Sequence, residues 1–252
     1  MQYAMDEGSR FVLHEVCGPN GEHAYTSVSA YIDGIAFCGR SVCRMEDLSD
    51  EDALQCLQTV PPECIYPKFD SGEFTLAPEF DKFRHFLKPP SYEWDDCQPG
   101  KTFVADCVLQ EIHALELIRK NPQPALVSYH GCVVKADRVT HLCLEKYEAS
   151  LDSILETSPG RIGFAEASNI IDQVEAGINH LHSLSLAHND INEHNICLNM
   201  DKNPVIVDFD SCLPFGKPLT KGFSSQDCPT SSPDNDYAAI SCLADLLLDN
   251  NC

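Results

Sequence analysis

Apolar side chains recur every three to four residues in three long stretches of the chain, which is the spacing of one face of a helix. The pattern predicts helices over residues 104–120 and 164–184, and a third helix that begins at Asp236. The second stretch has the widest apolar stripe, so we expect it to pack into a core. A shorter helix is predicted over residues 50–57, with Ser49 as its N-cap.

Strands are predicted where apolar runs are short or alternate with polar residues. Residues 126–134 and 139–144 suit a hairpin, and residues 196–198 and 204–207 suit two more strands. Short extended pieces are expected around residues 64–66, 73–76 and 83–88, between prolines, and alternating stretches with a turn at 18–21 precede them. Strands early, long helices late and a hairpin between them predict an α+β protein of two unequal lobes.

Charge narrows the classes of function. The 252 residues include 17 Lys and Arg against 39 Asp and Glu, a formal net charge of −22. Such an excess of acid argues against a nucleic-acid binder and against attachment to an anionic membrane surface, because both need clusters of basic residues. A ligand that carries phosphate would have to be held by a few local cations or by a metal ion.

The cysteine content indicates a compartment. The chain has 14 cysteines, none of them in C-x-x-C spacing, and many lie in apolar runs. We therefore expect reduced, structural thiols in a cytoplasmic or nuclear protein rather than a disulfide framework or a zinc site. The sequence opens with polar and acidic residues instead of a secretory segment, and no apolar run approaches the roughly 20 residues of a membrane span.

The most informative stretch is HNDINEHN at residues 188–195, which is followed by VIVDFD at 205–210. An Asp five residues before an Asn, with a second Asp after the next strand, can converge on one site. Asn195 and Asp208 would supply oxygen ligands to Mg²⁺, and Asp190 would face a hydroxyl nucleophile. Each of these residues alone would more simply cap a turn or end a strand, but together they have the division of labour of phosphoryl transfer.

These motifs resemble those of the eukaryotic protein kinases, and more closely those of the divergent kinase-like proteins of filamentous fungi. Residues 188–190 resemble the catalytic-loop motif H-R-D, Asn195 matches the metal-binding Asn, and residues 208–210 resemble D-F-G. The resemblance implies a two-lobed kinase-like fold that binds ATP and Mg²⁺ and acts on a protein substrate or binds a partner. Asp236 would begin the helix whose Asp steadies the catalytic loop.

The resemblance extends upstream of the catalytic loop. It implies that Leu144 is the gatekeeper, and that Glu145 and Tyr147 offer backbone groups to adenine. Glu111 would lie on the αC helix and pair with a lysine, for which Lys88 is the best candidate because it ends an apolar run. The expected division of the chain is an N-terminal extension (1–62), a kinase-like N-lobe and hinge (63–147) and a C-lobe (148–252) that is truncated after the αF-like helix.

Several departures from the family pattern put activity in question. No G-x-G-x-x-G precedes Lys88, Asn192 replaces a lysine that usually steadies the γ-phosphate, and no A-P-E motif follows residue 210. Asp210 replaces the glycine of D-F-G, which would remove freedom at a positive φ. Three functions therefore stay open: an ATP-dependent Ser/Thr phosphotransferase, a pseudokinase that serves as a binding or scaffold module, and a small-molecule kinase of the aminoglycoside-phosphotransferase type.

Overall fold

The computed structural model of the protein describes residues 11–158, 162–219 and 230–249. Strands and one long helix occupy the chain up to about residue 147, and helices dominate after it. This distribution confirms the predicted α+β class.

The first part of the chain forms a four-stranded antiparallel sheet with the order β1-β2-β3-β4. The stretch predicted as alternating over 24–37 is two strands, because Asp33 and Gly34 both have positive φ (52° and 73°) and make a tight hairpin turn. The predicted helix α1 forms, and the Ser49 hydroxyl accepts a hydrogen bond from the amide of Asp52 at 3.2 Å. The elements are β1 (Val12–Cys17), β2 (His23–Ile32), β3 (Ile35–Ser41), α1 (Asp50–Cys56) and β4 (Gln58–Thr59).

This N-terminal sheet is attached to the chain that follows Lys88. The hydroxyl of Tyr92 lies 3.0 Å from the carbonyl oxygen of Ala30 and 3.2 Å from that of Phe37, and the amide of Trp94 donates to Ser27 Oγ at 2.9 Å. Tyr92 is itself buried. The sheet thereby fixes the path of residues 89–94 as they leave the strand that carries Lys88.

The next unit is a three-stranded antiparallel sheet with the order β5-β7-β6, beside a long helix. Of the three extended pieces predicted between the prolines, one is a strand. Residues 64–66 fall in and after a helix instead, since Pro62 presets the first-turn φ. Residues 73–76 begin inside a turn, in which the amides of Glu73 and Phe74 donate to the Asp70 carbonyl. The elements are α2 (Pro62–Ile65), β5 (His85–Lys88), α3 (Phe103–Lys120), β6 (Tyr129–Lys135) and β7 (Arg138–Glu145).

The second lobe is built on two long helices and two small sheets, one with the order β11-β10-β8 and one that pairs β12 with β9. The last helix begins three residues before the predicted Asp236, because Pro233 opens it and the Ser232 hydroxyl accepts from the Asp234 amide at 3.2 Å. The elements are β8 (Ala149–Ser150), α4 (Leu151–Thr157), α5 (Phe164–Ser183), β9 (Leu186–Ala187), β10 (Ile196–Leu198), β11 (Pro204–Ile206), β12 (Leu213–Pro214) and α6 (Pro233–Asp249).

One apolar core runs through both lobes. Ile170, Val174, Ile178 and Leu181 of α5 are fully buried, as the stripe predicts, and the same cluster includes Ile112 of α3. Burial of each such side chain contributes about 1.5–3 kcal/mol. Helices α3 and α5, one from each lobe, therefore contribute to the same hydrophobic core. In the described part of the chain, no helix is long and apolar enough to cross a membrane.

Candidate active site

The loop at residues 188–195 connects β9 to β10 at the base of the cleft between the lobes. Asp236 of α6 is fully buried and accepts hydrogen bonds from the amides of His188 (2.9 Å) and Asn189 (2.7 Å), and from His182 Nε2 (2.8 Å). The loop backbone is therefore held from the core side, as the resemblance implies for Asp236.

The two polar residues of the loop that were predicted to act together do contact each other. Asn195 Nδ2 donates to both the carbonyl oxygen (2.8 Å) and the carboxylate Oδ2 (2.9 Å) of Asp190. The Asn192 side chain closes the turn between them, accepting from the amides of His194 (3.0 Å) and Asn195 (3.2 Å). Because its amide nitrogen is used inside the loop, Asn195 keeps its amide oxygen for an outside partner.

Lys88 joins two acidic residues from different elements. It ends β5, and its Nζ lies 2.6 Å from Glu111 Oε1 of α3 and 2.6 Å from Asp208 Oδ1, which follows β11. The Lys88 and Glu111 side chains are 14% and 5% exposed. Burial alone would lower the pKa of Lys88, but the two carboxylates outweigh it and raise that pKa above its usual range. The lysine is therefore charged at all ordinary pH values.

The two carboxylates respond differently to the shared lysine. Burial raises the pKa of Glu111 to about 7, against the opposing effect of Lys88. Burial would also raise the pKa of Asp208, but Lys88 and the amide of Asp210 outweigh it and hold that pKa below its usual range. Asp208 is thus the fully ionised partner of the lysine, and Glu111 titrates near neutrality.

These side chains line a single cavity of about 1130 Å³, including its open mouth. The cavity holds one lysine against several carboxylates, so it is electronegative. The predicted residues that line it are Lys88, Glu111, Asp190, Asn195 and Asp208, and Glu93, Val108, Leu142, Asn192 and Asp210 also contribute to its wall.

The donor set suits a hard divalent cation. Asp208 and Asp210 offer carboxylate oxygens and Asn195 an amide oxygen, and Mg²⁺ prefers one or two carboxylates plus the phosphate oxygens of a nucleotide. All three residues line the cavity, and the amide of Val207 donates to the carbonyl oxygen of Asn195 at 2.9 Å, which ties the two metal-site segments together. The residues present therefore fit a Mg²⁺-nucleotide.

The three residues expected at the adenine end do not line this cavity. Leu144 and Glu145 lie at the far end of β7, opposite Phe86 and His85, and Leu144 is buried. The Glu145 amide donates to the Ser128 carbonyl (2.8 Å), and Tyr147 Oη accepts from the Ser128 amide (3.1 Å). Leu144, Glu145 and Tyr147 therefore lie outside the cavity that the other five predicted site residues line.

Asp210 is better accommodated than the sequence suggests. The residue with positive φ in D-F-D is Asp208 (61°), whereas Asp210 is not among those with positive φ. The turn therefore makes no demand for glycine at position 210, and the expected cost of its replacement was wrong. Asp210 instead adds a carboxylate to the cavity wall, a role that its place next to the Asp208-Phe209 pair could have indicated.

Comparison with known proteins agrees with this geometry. The sequence model of the protein kinase domain matches residues 96–230, more than half of the chain. The chain belongs to the protein kinase domain family. The matched range contains Glu111, Asp190, Asn195 and Asp208, whereas Lys88 lies before it.

Individual relatives are distant. The chain is 29% identical over 107 residues to the serine/threonine-protein kinase/endoribonuclease IRE1 of Hypocrea jecorina, which is 38% of this chain and 8% of that protein. It is 23% identical over 111 residues to a cyclin-dependent kinase 4 homolog of Caenorhabditis elegans, 42% of this chain and 27% of that protein. The chain thus spans about a quarter or less of these curated relatives.

A solved structure shares the fold. A chain of the yeast RNA polymerase II CTD kinase CTDK-1 complex superimposes with a TM-score of 0.52 at 13% identity, over 73% of this chain and 64% of that one. At this identity the likeness concerns the fold alone. It supports the two-lobed protein-kinase-like architecture expected from the sequence.

Proposed function

We propose that the chain is an ATP-dependent phosphotransferase of Ser/Thr protein-kinase type. The observation that carries this proposal is the position of Lys88, which contacts Glu111 and Asp208 at 2.6 Å each in the cavity that Asp190 and Asn195 also line. Burial of a lysine between two carboxylates from different lobes carries a desolvation penalty, because all three charged groups lose water there. Such an arrangement favours a functional role for the three residues.

The roles follow from the contacts. Asp190 acts as the base for the acceptor hydroxyl, with its carboxylate oriented by Asn195 Nδ2. Asn195 and Asp208 hold Mg²⁺, which when bound neutralises the charge of the transferred phosphoryl group. Lys88 is the one lysine or arginine among the described residues that line the cavity, and it contacts the nucleotide phosphates. Glu111 keeps its side chain extended from β5 towards the cleft.

The adenine group of residues is part of the same proposal. Phe86 and Leu144 are opposite each other in β5 and β7, two residues before Lys88 along the strand. Phe86 is partly exposed, so an apolar surface is present there for a flat ring. Because the Glu145 amide is bonded to Ser128, the group that Glu145 offers to a purine is its carbonyl, and Tyr147 offers its backbone beyond it.

A pseudokinase that serves as a binding module is the second candidate, and a specific observation favours it. In the described sheet β5-β7-β6, the strand that carries Lys88 lies at an edge. No further strand of the described residues covers that edge, where a glycine-rich hairpin would hold phosphates by backbone amides. Phosphate binding would then rely on Lys88 and the metal ion alone.

Origin and setting belong to the proposal as well. A kinship with the divergent kinases of filamentous fungi is supported by the Hypocrea jecorina match. A cytoplasmic or nuclear setting is supported by the twelve described cysteines, none of which forms a disulfide. A protein substrate or partner is favoured over nucleic acid by the net charge of −22. We also propose that the three predicted segments are functional units, with the bounds 1–62, 63–147 and 148–252.

The test begins with nucleotide binding. Mg²⁺-ATP should raise the melting temperature, Asp208→Asn should abolish that rise, and Asp190→Asn should preserve it. The exposed Asp245→Asn on α6 is a matched carboxylate control. No shift at millimolar nucleotide would refute nucleotide binding altogether.

The second step measures transfer. Transfer of the γ-phosphate to a generic protein substrate, lost in Asp190→Asn, would establish the proposed activity. Binding without transfer would establish the pseudokinase, and transfer confined to small hydroxylated compounds would establish the small-molecule kinase.

A further inference from the structure

Asn189, the residue directly before the proposed base, is held unusually firmly. It is 1% exposed and has a φ of 62°. Asparagine is one of the few residues with a side chain that adopts this left-handed conformation readily. The backbone therefore turns at Asn189 in a way that decides the direction of Asp190.

The side chain of Asn189 contacts four groups, of which three belong to remote parts of the chain. Its Nδ2 lies 3.0 Å from the Ala187 carbonyl, 3.0 Å from the Ser211 carbonyl and 3.1 Å from Ser231 Oγ. Its Oδ1 accepts from Asn235 Nδ2 at 3.1 Å. An amide side chain can donate twice and accept twice, so this environment uses it almost fully.

The partners are themselves anchored. The Ser231 hydroxyl donates to the Leu213 carbonyl at 2.9 Å, and Asn235 Nδ2 also contacts the Thr230 carbonyl at 2.9 Å. Asn189 thus connects the catalytic loop with β12 on one side and with the start of α6 on the other. Apart from Ser211, none of the residues in these contacts lines the cavity.

We propose that Asn189 is a positioning residue for Asp190, and that Asn235 and Ser231 extend its action. The inference rests on the proposed function, since it assigns how the base of that reaction is aimed. Asn195 holds the carboxylate from the cavity side, and Asn189 fixes the preceding peptide from the core side. The loop is thereby set between two asparagine side chains, without any charged group of its own at position 189.

Two substitutions separate the backbone requirement from the hydrogen bonds. Asn189→Gly keeps the freedom at positive φ and deletes every side-chain contact. Asn189→Asp keeps the shape and tolerates the same φ, but places a carboxylate oxygen where Nδ2 faces two carbonyl oxygens. Asn179→Ala is the matched control, because Asn179 bonds Tyr237 at an exposed position between the same two helices, α5 and α6.

The expected result is a loss in turnover without a loss in nucleotide binding. Both Asn189 variants should reduce kcat for γ-phosphate transfer by about tenfold to a hundredfold, as a displacement of a reacting group by about 1 Å does. The KM for ATP and the Mg²⁺-ATP shift in melting temperature should stay within about twofold of wild type, because Asn195 and Asp208 are untouched. Unchanged kcat in folded Asn189 variants, or an effect confined to KM, would overturn the proposal.

A second variant tests the role of Asn189 if the Asn189 variants misfold, and hydrogen exchange tests it if the wild type transfers no phosphate. Asn235→Ala removes the contact with Asn189 Oδ1 and the contact with the Thr230 carbonyl but leaves Asn189 itself in place. It should reduce kcat in the same direction, with KM for ATP again unchanged. Failure of wild-type transfer would refute the proposed function, and hydrogen exchange would then decide the tether. The Asn189 amide, which donates to Asp236, should exchange slowly in wild type and faster in Asn235→Ala. Equal exchange in both would overturn the tether.

Discussion

Removal of the Lys88 charge is the sharpest test of how the cavity is held together. In Lys88→Met the methylene stem keeps its packing, while the ammonium that contacts Glu111 and Asp208 at 2.6 Å each is lost. The two carboxylates are 5% and 25% exposed, so water replaces the missing cation only in part. Removal of one partner from a buried ion pair costs about 3–5 kcal/mol. We expect a loss of this size in the free energy of unfolding at pH 8.

The loss of stability in Lys88→Met should depend on pH in a definite direction. Without Lys88, the folded-state pKa of both carboxylates rises above the unfolded value, so the folded state binds more protons than the unfolded state. The stability that this supplies is present at low pH and is lost as the pH rises through the raised folded-state pKa values. The loss in Lys88→Met should therefore be largest at pH 8 and clearly smaller at pH 5.

Urea denaturation followed by circular dichroism at both pH values measures the difference. Lys68→Met is the matched control: Lys68 is exposed, and its substitution should change stability by less than about 0.5 kcal/mol. A loss in Lys88→Met below about 1 kcal/mol at pH 8, or an equal loss at both pH values, would refute the reading of Lys88 as the ion that compensates two buried carboxylates.

Two further predictions address other parts of the molecule. In wild type the raised pKa of Glu111, about 7, means that its protonated form stabilises the fold, and this contribution fades as the pH rises from 5 to 8. Glu111→Gln should remove about 2–3 kcal/mol of that pH-dependent change, and unfolding curves that run parallel to wild type across this pH range would contradict it. Gly131→Ala should cost more than about 2 kcal/mol by thermal or urea unfolding, because Gly131 has a φ of 133° and a Cβ there would lie 2.7 Å from backbone atoms of Leu76 and Ala77. The same loss in Gly100→Ala, where φ is also positive but no atom lies within 4 Å, would show that strain rather than the close approach is the cause.

Local signals predicted the helices and the second lobe well. The stripe on α5 and the break at Asn121-Pro122 after α3 are properties of sequence neighbours, and both helices form as expected. The catalytic loop was also predictable, because Asp190 and Asn195 lie five residues apart and their contact is made within one turn. Interactions this short in sequence leave a pattern that a single chain reveals.

The parts that were missed depend on distant contacts. The attachment of the N-terminal sheet through Tyr92 to Ala30 spans 62 residues, and no spacing in the sequence indicates it. The tether from Asn189 to Asn235 spans 46 residues. The pairing of Lys88 with Glu111 was expected from the family resemblance, whereas the contact of Lys88 with Asp208, 120 residues away, was not predicted. Polar contacts between remote segments leave no periodicity, since each residue contributes one isolated position.

The excess of acidic residues in the chain is also present in the wall of the cavity. Lys88 faces Glu111, Asp208 and Asp210, and all four side chains line the wall. A nucleoside triphosphate that entered without a metal ion would add negative charge to a site that already has more carboxylates than cations. Like charges at close range in a partly buried site repel each other by several kcal/mol, so under the proposed function a divalent cation would have to enter with the nucleotide. Since the described sheet offers no glycine-rich hairpin over β5, the metal and Lys88 would have to hold the phosphates together. Nucleotide binding that persisted undiminished after removal of Mg²⁺ by chelation would contradict this account of the site.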